Sequence, residues 1–229
     1  MINVVTWNVL HRVHAANWDD GTVVRWPDER LRIAAIAEVV AARGADVVAL
    51  QEVSGDLLVA LRAAVRDREV HAFRYPRVPN VRKGVQQLRD PGEFLVLIGD
   101  GEVVAGEAFA GDPGKGLLAV RTSDMLAVCT HVGFGDARNA ELARLADVAR
   151  TGTAVLLGDF NADPATVAGG LGDGFSVAGL PAGAAVTRPG AGAQIIDHVV
   201  VRGATVEHAQ VVDGGGLSDH NLVVAGVRR

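Results

Sequence analysis

Apolar and polar positions along this chain fall into blocks whose period switches between two and roughly 3.6 residues, the repeats of strand and helix. Residues 2–7 are β-branched or aromatic at most positions and predict a strand that ends at Asn8. Residues 11–27 carry His, Asn, Asp, Gly and Trp without a period, which predicts a long loop of the kind that serves a site. Pro27, Asp28 and Glu29 then open a helix, because proline suits the first turn and acids suit its positive end. Ile33, Ile36, Ala37 and Val40 form its buried stripe and Gly44 stops it. Residues 46–50 give a second strand that hands over to Gln51 and Glu52, and Ser54 caps a second helix reaching about Val65.

Strands at 94–99 and 102–109 predict a hairpin turned at Asp100-Gly101. Residues 112–116, Asp-Pro-Gly-Lys-Gly, predict a turn; a phosphate-loop motif would need glycine where Phe109 stands, and Ser or Thr after the lysine. Further strands at 116–122 and 125–130 follow, the second closing on Thr130 and His131. A helix from Asp136 to about Arg150 buries Leu142, Leu145, Ala146 and Ala149. Val155, Leu156 and Leu157 suit a strand covered on both faces, which runs through Gly158 into Asp159, Phe160 and Asn161. The remainder is glycine-rich, with strands near 195–201, 204–212 and 222–227.

These blocks contain an echo. Strand to Asn8, helix, strand to Glu52 is matched by strand to His131, helix, strand to Asp159 and Asn161. Parallel strands joined through a helix leave their carboxyl ends at one edge of a sheet, where such folds bind ligands. If both halves share one layered core, these polar residues converge. Residues 195–198 and 217–220 add Asp197, Asp219 and His220, and Thr187 precedes the first of them.

With 229 residues, 49% of them apolar, the chain fits one large domain or two small ones. No run approaches the roughly eighteen apolar residues of a membrane span, and no basic-then-apolar leader is visible. A single cysteine excludes an internal disulfide and suits a cytoplasmic protein. The formal charge of −5 argues against bulk attraction to nucleic acid or anionic membranes. Residues 62–89 are locally arginine-rich with His71, Phe73 and Tyr75 interleaved; they read as a solvated edge strand and loop, with a phosphate-backbone contact as the alternative. Cys129 sits in an apolar alternation and reads as a buried, inert thiol. His11 and His14 pair as metal ligands only if their loop is helical, and a surface role is expected.

Thr6-Trp7-Asn8, Leu50-Gln51-Glu52-Val53, Thr130-His131, Gly158-Asp159-Phe160-Asn161, Ile196-Asp197-His198 and Ser218-Asp219-His220 together resemble the endonuclease/exonuclease/phosphatase superfamily, the group of DNase I-like and exonuclease III-like proteins. The resemblance spans practically the whole chain. It implies one domain over residues 1–229, an α/β four-layer sandwich with two packed mixed β-sheets flanked by helices, and a site at one edge. It further implies a metal-dependent hydrolase of phosphoester bonds, a phosphodiesterase or nuclease, working as a monomer without an obligatory protein partner.

Under that resemblance Glu52, Asn8 and Asp219 hold Mg²⁺ or Mn²⁺, which prefer oxygen ligands. His220 accepts the proton of the attacking water and Asp197 fixes its tautomer. Asp159 polarises that water or holds a second ion, Asn161 aligns water and phosphate, His131 donates to the phosphoryl oxygen, and Thr187, on the substrate side, supports His131 or the loop around it. The chain departs from the pattern at Leu10, where relatives often carry an acid. It departs again at Tyr75, its only tyrosine, and at residues 93–96, where many relatives have Gly-Asn. Nucleic acid, a small phosphoester, a phospholipid head group and a sugar phosphate remain alternative substrates. A binding module that has lost turnover is the reading of another class.

Overall fold

The computed structural model describes residues 1–18, 21–190 and 192–229. Residues 19 and 20 of the expected loop, and residue 191 of the glycine-rich stretch, lie outside the described residues. In chain order come β1 (Ile2–Asn8), α1 (Arg12–Asn17), α2 (Gly21–Arg25), α3 (Glu29–Ala42), β2 (Val47–Ser54), α4 (Gly55–Ala64) and β3 (Val70–Arg74). Then follow β4 (Glu93–Ile98), β5 (Glu102–Phe109), β6 (Asp112–Arg121), β7 (Leu126–His131), α5 (Ala137–Val148) and β8 (Ala154–Asp159). The chain closes with α6 (Pro164–Leu171), β9 (Phe175–Val177), β10 (Asp197–Arg202), β11 (Thr205–Val212) and β12 (Leu222–Arg228).

Among the described residues the strands form two six-stranded sheets, ordered β11-β12-β1-β2-β4-β3 and β5-β6-β7-β8-β10-β9. Each sheet is mixed, with one parallel pair near its centre: β1 with β2, and β7 with β8. The echo in the sequence is therefore a structural repeat. Val4, Ala49, Leu97, Ala127, Leu157 and Val199 pack in the layer between the sheets. Trp7, Leu50, Ile36, Val40 and Leu61 bury the outer face of the first sheet under α3 and α4. Leu117, Val128, Leu156, Leu142, Leu145 and Val167 do the same for the second under α5 and α6. The result is the expected four-layer α/β sandwich.

Three expectations are corrected. The segment expected as a loop over 11–27 contains α1 and α2, because His11 caps α1 by accepting from the Val13 amide. The supposed hairpin at Asp100-Gly101 is a crossover, since β4 lies in the first sheet and β5 in the second. Gly101 takes φ +154 there, and a side chain would strike the Arg121 carbonyl. The supposed turn at 112–116 belongs to β6, and the hairpin turns earlier, at Ala110 and Gly111.

A buried cation ties the chain's two ends together. Arg32 of α3 forms a bidentate pair with Glu29 at 2.7 and 2.8 Å. It also donates to the carbonyls of Val9 (2.9 Å), Leu10 (2.8 Å) and Leu217 (2.7 Å). Trp7 Nε1 donates to the His220 carbonyl and Ser218 Oγ to the Asn8 carbonyl, at 3.0 and 2.7 Å. The segment after β1 and the segment before β12 are held as one unit.

Two outcomes follow from this packing. Arg32→Ala leaves buried Glu29 with only the 3.5 Å contact to Arg12 and takes the donor from three backbone carbonyls, so urea unfolding should show a loss of about 3–5 kcal/mol; a loss below about 1 kcal/mol, typical of a surface pair, would contradict the clamp. Burial pushes the Cys129 thiol from 9.0 up to about 12. A disulfide reagent at pH 8 should leave the native thiol unmodified and react on unfolding. Because the unfolded thiol ionises first, this group removes stability as pH rises through that interval.

Candidate active site

Strand parity delivers most of the site. Side chains two apart share a face, so the between-sheet face that carries Ala127, Leu157 and Val199 also carries His131, Asp159 and Asp197 at the strand ends. Val4 and Thr6 lead to Asn8 in the same way. Registry sets His131 and Asp197 on either side of Asp159, as its partners in β7 and β10. His198 has the opposite parity and leaves the site, its Nε2 2.8 Å from the Ala162 carbonyl.

Glu52 needs a special device. Gln51 continues the between-sheet face and bonds Thr6 and Cys129, so a regular strand would turn Glu52 toward the helices. A register shift between Leu50 and Val53, with Glu52 at φ +60, redirects it toward the cleft. Leu10 and Asn161 also hold positive φ, at +54 and +49. Such backbone costs on the order of 1–3 kcal/mol per residue, and all three cases border this cleft.

The resulting geometry is compact. Asn8 Nδ2 donates to Glu52 Oε1 at 3.2 Å and Asp159 Oδ2 at 3.1 Å, bridging the two sheets. Its Oδ1 accepts from Leu10 N at 3.0 Å, which leaves that oxygen a second lone pair for a cation. His220 Nδ1 lies 2.9 and 3.1 Å from the Asp197 carboxylate oxygens. Its Nε2 is 3.9 Å from both Asp159 Oδ2 and Asp219 Oδ1. His131 Nε2 faces Asp159 at 3.3 Å, Glu52 at 4.0 Å and the Lys115 ammonium. Asn161 commits Nδ2 to the Val132 carbonyl at 2.8 Å and its amide N–H to Asp159.

Thr187 is placed differently from expectation. It is fully buried, and its hydroxyl accepts from the Ile196 and Asp197 amides at 3.0 and 3.1 Å. The Thr187 carbonyl accepts from Asn221 N at 2.6 Å. It therefore braces the strand start carrying Asp197 against the segment carrying His220, and reaches neither His131 nor the cleft.

Electrostatics follow the crowding. Burial alone would depress the His220 imidazolium, but Asp197, Asp159 and Asp219 outweigh it and raise it to about 10. Burial opposes ionisation of Asp159, yet His131, His220 and Lys115 hold its carboxyl far below the usual range. Glu52 is likewise held low against burial, by His14, His131 and Lys115.

Lys115, His14 and Glu93 are the participants that sequence reasoning missed. Lys115 was hidden by reading its strand as a turn. His14, expected on the surface, sits on α1 with Nε2 3.2 Å from Glu93 Oε2. His11 is buried too. The i, i+3 spacing of His11 and His14 was the available signal, once that segment was read as helix.

Above these groups the cleft encloses about 450 Å³. Arg77, Arg82, Arg188, Trp18 and Phe134 also line it. Two groups of side chains have the donor sets and spacing to hold a metal ion: Asp159 with Asp197 and His220, and His14 with Glu52 and Glu93. Carboxylate oxygens with few imidazoles suit a hard or borderline divalent ion.

Comparison with known proteins agrees with this architecture. D. rerio TDP2 complexed with a single-strand DNA product superposes with a TM-score of 0.70 at 16% identity, covering 100% of this chain and 99% of that one. An endonuclease/exonuclease/phosphatase from Bacteroides vulgatus gives 0.71 at 17% identity, covering 99% and 98%. One from Beutenbergia cavernae gives 0.70 at 20%, covering 99% and 71%. No curated protein matches the chain in sequence. A model of the endonuclease/exonuclease/phosphatase family matches residues 5–220, and the chain belongs to that family.

Proposed function

We propose that this protein is a divalent-metal-dependent phosphodiesterase that cleaves polynucleotide P–O bonds with a histidine-activated water. The observation that carries the reading is the His220–Asp197 pair pointing Nε2 toward Asp159, with Glu52 and Asn8 opposite. The family's members are phosphoester hydrolases that use divalent ions, in keeping with the two ligand groups described above.

In this reading Glu52, Asn8 and Asp219 bind Mg²⁺ or Mn²⁺. When bound, the ion supplies positive charge to the phosphoryl oxygens and counters the carboxylate field. His220 must be neutral to accept a proton, and a bound cation that countered the carboxylate field would lower its imidazole from the raised value. Asp197 holds the Nδ1 proton, so Nε2 is the acceptor. Water oxygen bonds to phosphorus, its proton passes to Nε2, and the bond to the leaving oxygen breaks. Asp159 orients the water. Asn161, whose Nδ2 is committed elsewhere, presents its amide oxygen to that water. Lys115 and His131 face the phosphoryl oxygens.

Substrate class is argued from the rim. Arg77, Arg82, Arg188 and Lys115 provide cationic contacts for a phosphate chain. Trp18 and Phe134 are 75% and 64% exposed beside the cleft, which suits them to stack on unpaired bases. The single-strand DNA product bound by D. rerio TDP2 supports nucleic acid as the substrate class. The cleft volume and the net charge of −5 favour a small phosphoester as the second reading. We take the enzyme to be a cytoplasmic monomer, in line with its one reduced cysteine.

With Mg²⁺ or Mn²⁺ the protein should hydrolyse bis-para-nitrophenyl phosphate and a single-stranded oligonucleotide, and EDTA should abolish both activities. His220→Ala and Asp159→Ala should each lower turnover by about 10²–10⁴-fold with unchanged circular dichroism; rates within twofold of the parent would refute the assignment. Oligonucleotide binding should weaken roughly tenfold to a hundredfold between about 50 and 200 mM salt. Salt-independent binding with a preference for a small phosphoester would select the second reading.

A further inference from the structure

We infer that His14, Glu52 and Glu93 form a cation site that gives the bound ion an imidazole nitrogen, selecting Mn²⁺, Co²⁺ or Zn²⁺ over Mg²⁺. One ligand atom from each residue lies within 4.8 Å of the others. The site deepens the reading above and rests on Glu52 being a metal-facing carboxylate. His14 and Glu93 add what that reading does not use.

The three side chains come from separate elements that fix them toward one point. His11 caps α1, and α1 then projects His14 Nε2 to within 3.2 Å of Glu93 Oε2. Glu93 opens β4 opposite Ser54, beside the bulge that redirects Glu52. Glu93 is 1% exposed, and an isolated carboxylate at that depth is costly. Its other cation, Arg77, is 4.0 Å away and divides itself with Asp112 at 3.4 Å.

A second observation is a pair of unmet donors beside the cluster, which carboxylates turned by a bound ion would supply with acceptors. His11 Nε2 and Tyr75 Oη are buried and find no protein partner among the described residues. His11 Nδ1 accepts from Val13 N at 3.2 Å, so the ring's proton is on Nε2, and both orphan groups are donors. Each unmet donor costs about 1–3 kcal/mol. The His11 ring lies 5.5 Å from that of His14 and its backbone N–H donates to Glu52 at 3.0 Å, while Tyr75 N donates to the Glu93 carbonyl at 2.9 Å, so both residues border this cluster. A ligating carboxylate retains lone pairs, and hydrogen bonds from neighbours orient it. Imidazole nitrogen is a good ligand for transition ions, whereas Mg²⁺ favours oxygen.

The test uses the metal-free full-length protein titrated with Mn²⁺ and with Mg²⁺ by calorimetry, followed by pulsed electron paramagnetic resonance of the Mn²⁺ form. The expected spectrum shows nitrogen coupling from one imidazole, and Mn²⁺ binds at least about tenfold more tightly than Mg²⁺. His14→Ala should remove the nitrogen coupling and weaken Mn²⁺ by about 10–100-fold, taking the loss of a supporting group as a lower guide. His14→Asp should restore binding without nitrogen and erase the preference over Mg²⁺. Glu93→Gln should weaken Mn²⁺ without removing the coupling. Absent coupling in the parent, or coupling that survives His14→Ala, overturns the proposal. If His14→Ala fails to fold, the parent spectrum and Glu93→Gln still decide. Phosphodiester turnover on the same samples separates the two claims. Metal-dependent turnover without nitrogen at the ion refutes this site alone. A nitrogen-ligated ion with no turnover of any phosphoester refutes the enzymatic reading and leaves the site standing.

Discussion

Repulsion among Glu52, Asp159, Asp197 and Asp219, gathered where two sheets end, governs this part of the molecule. Two like charges about 4 Å apart repel by about 4 kcal/mol at an effective dielectric near 20. The chain answers by interleaving cations and donors: His220 between Asp197 and Asp159, Lys115 and His131 beside Glu52, Arg188 on Asp219, and the Asn8 amide across the gap. Those partners hold Glu52 and Asp159 ionised inside the protein. The arrangement is suited to a divalent ion and to a phosphate, each needing what the other carries.

Such crowding demands a rigid frame. Both sheets supply it in the same way, through a parallel pair whose ends are set by registry. The Arg32–Glu29 pair and the Trp7 and Ser218 bonds then lock the first strand's exit to the last strand's entry. Thr187 makes the equivalent brace between Asp197 and the His220 segment. Strained backbone at Leu10, Glu52 and Asn161 is tolerated because these braces leave it no alternative.

The legible parts of this molecule were those carried by period and strand ends. The runs leading to Asn8, Glu52, His131 and Asp159 could be read because apolar alternation stops abruptly at a polar residue. Convergence of Asp197 and His220 came from the motif resemblance, not from any local pattern. What stayed hidden depends on partners distant in sequence. Asp100-Gly101 carries a turn signal, but whether the strands on either side pair is decided by the sheets they join. Lys115 sits in a Pro-Gly-rich segment that tertiary pairing with β7 extends into strand. His14 was obscured because a six-residue helix has too few positions to show a period, and the bulge at Glu52 leaves no mark in the alternation before it.

The central claim is that these strand ends assemble around one or more divalent ions. Crystals grown from metal-free protein and soaked in Mn²⁺, measured at the manganese absorption edge, test it most directly. The account predicts an anomalous peak within bonding distance of a Glu52 carboxylate oxygen. An edge data set with manganese only on surface acids, and none in the cleft, would contradict it.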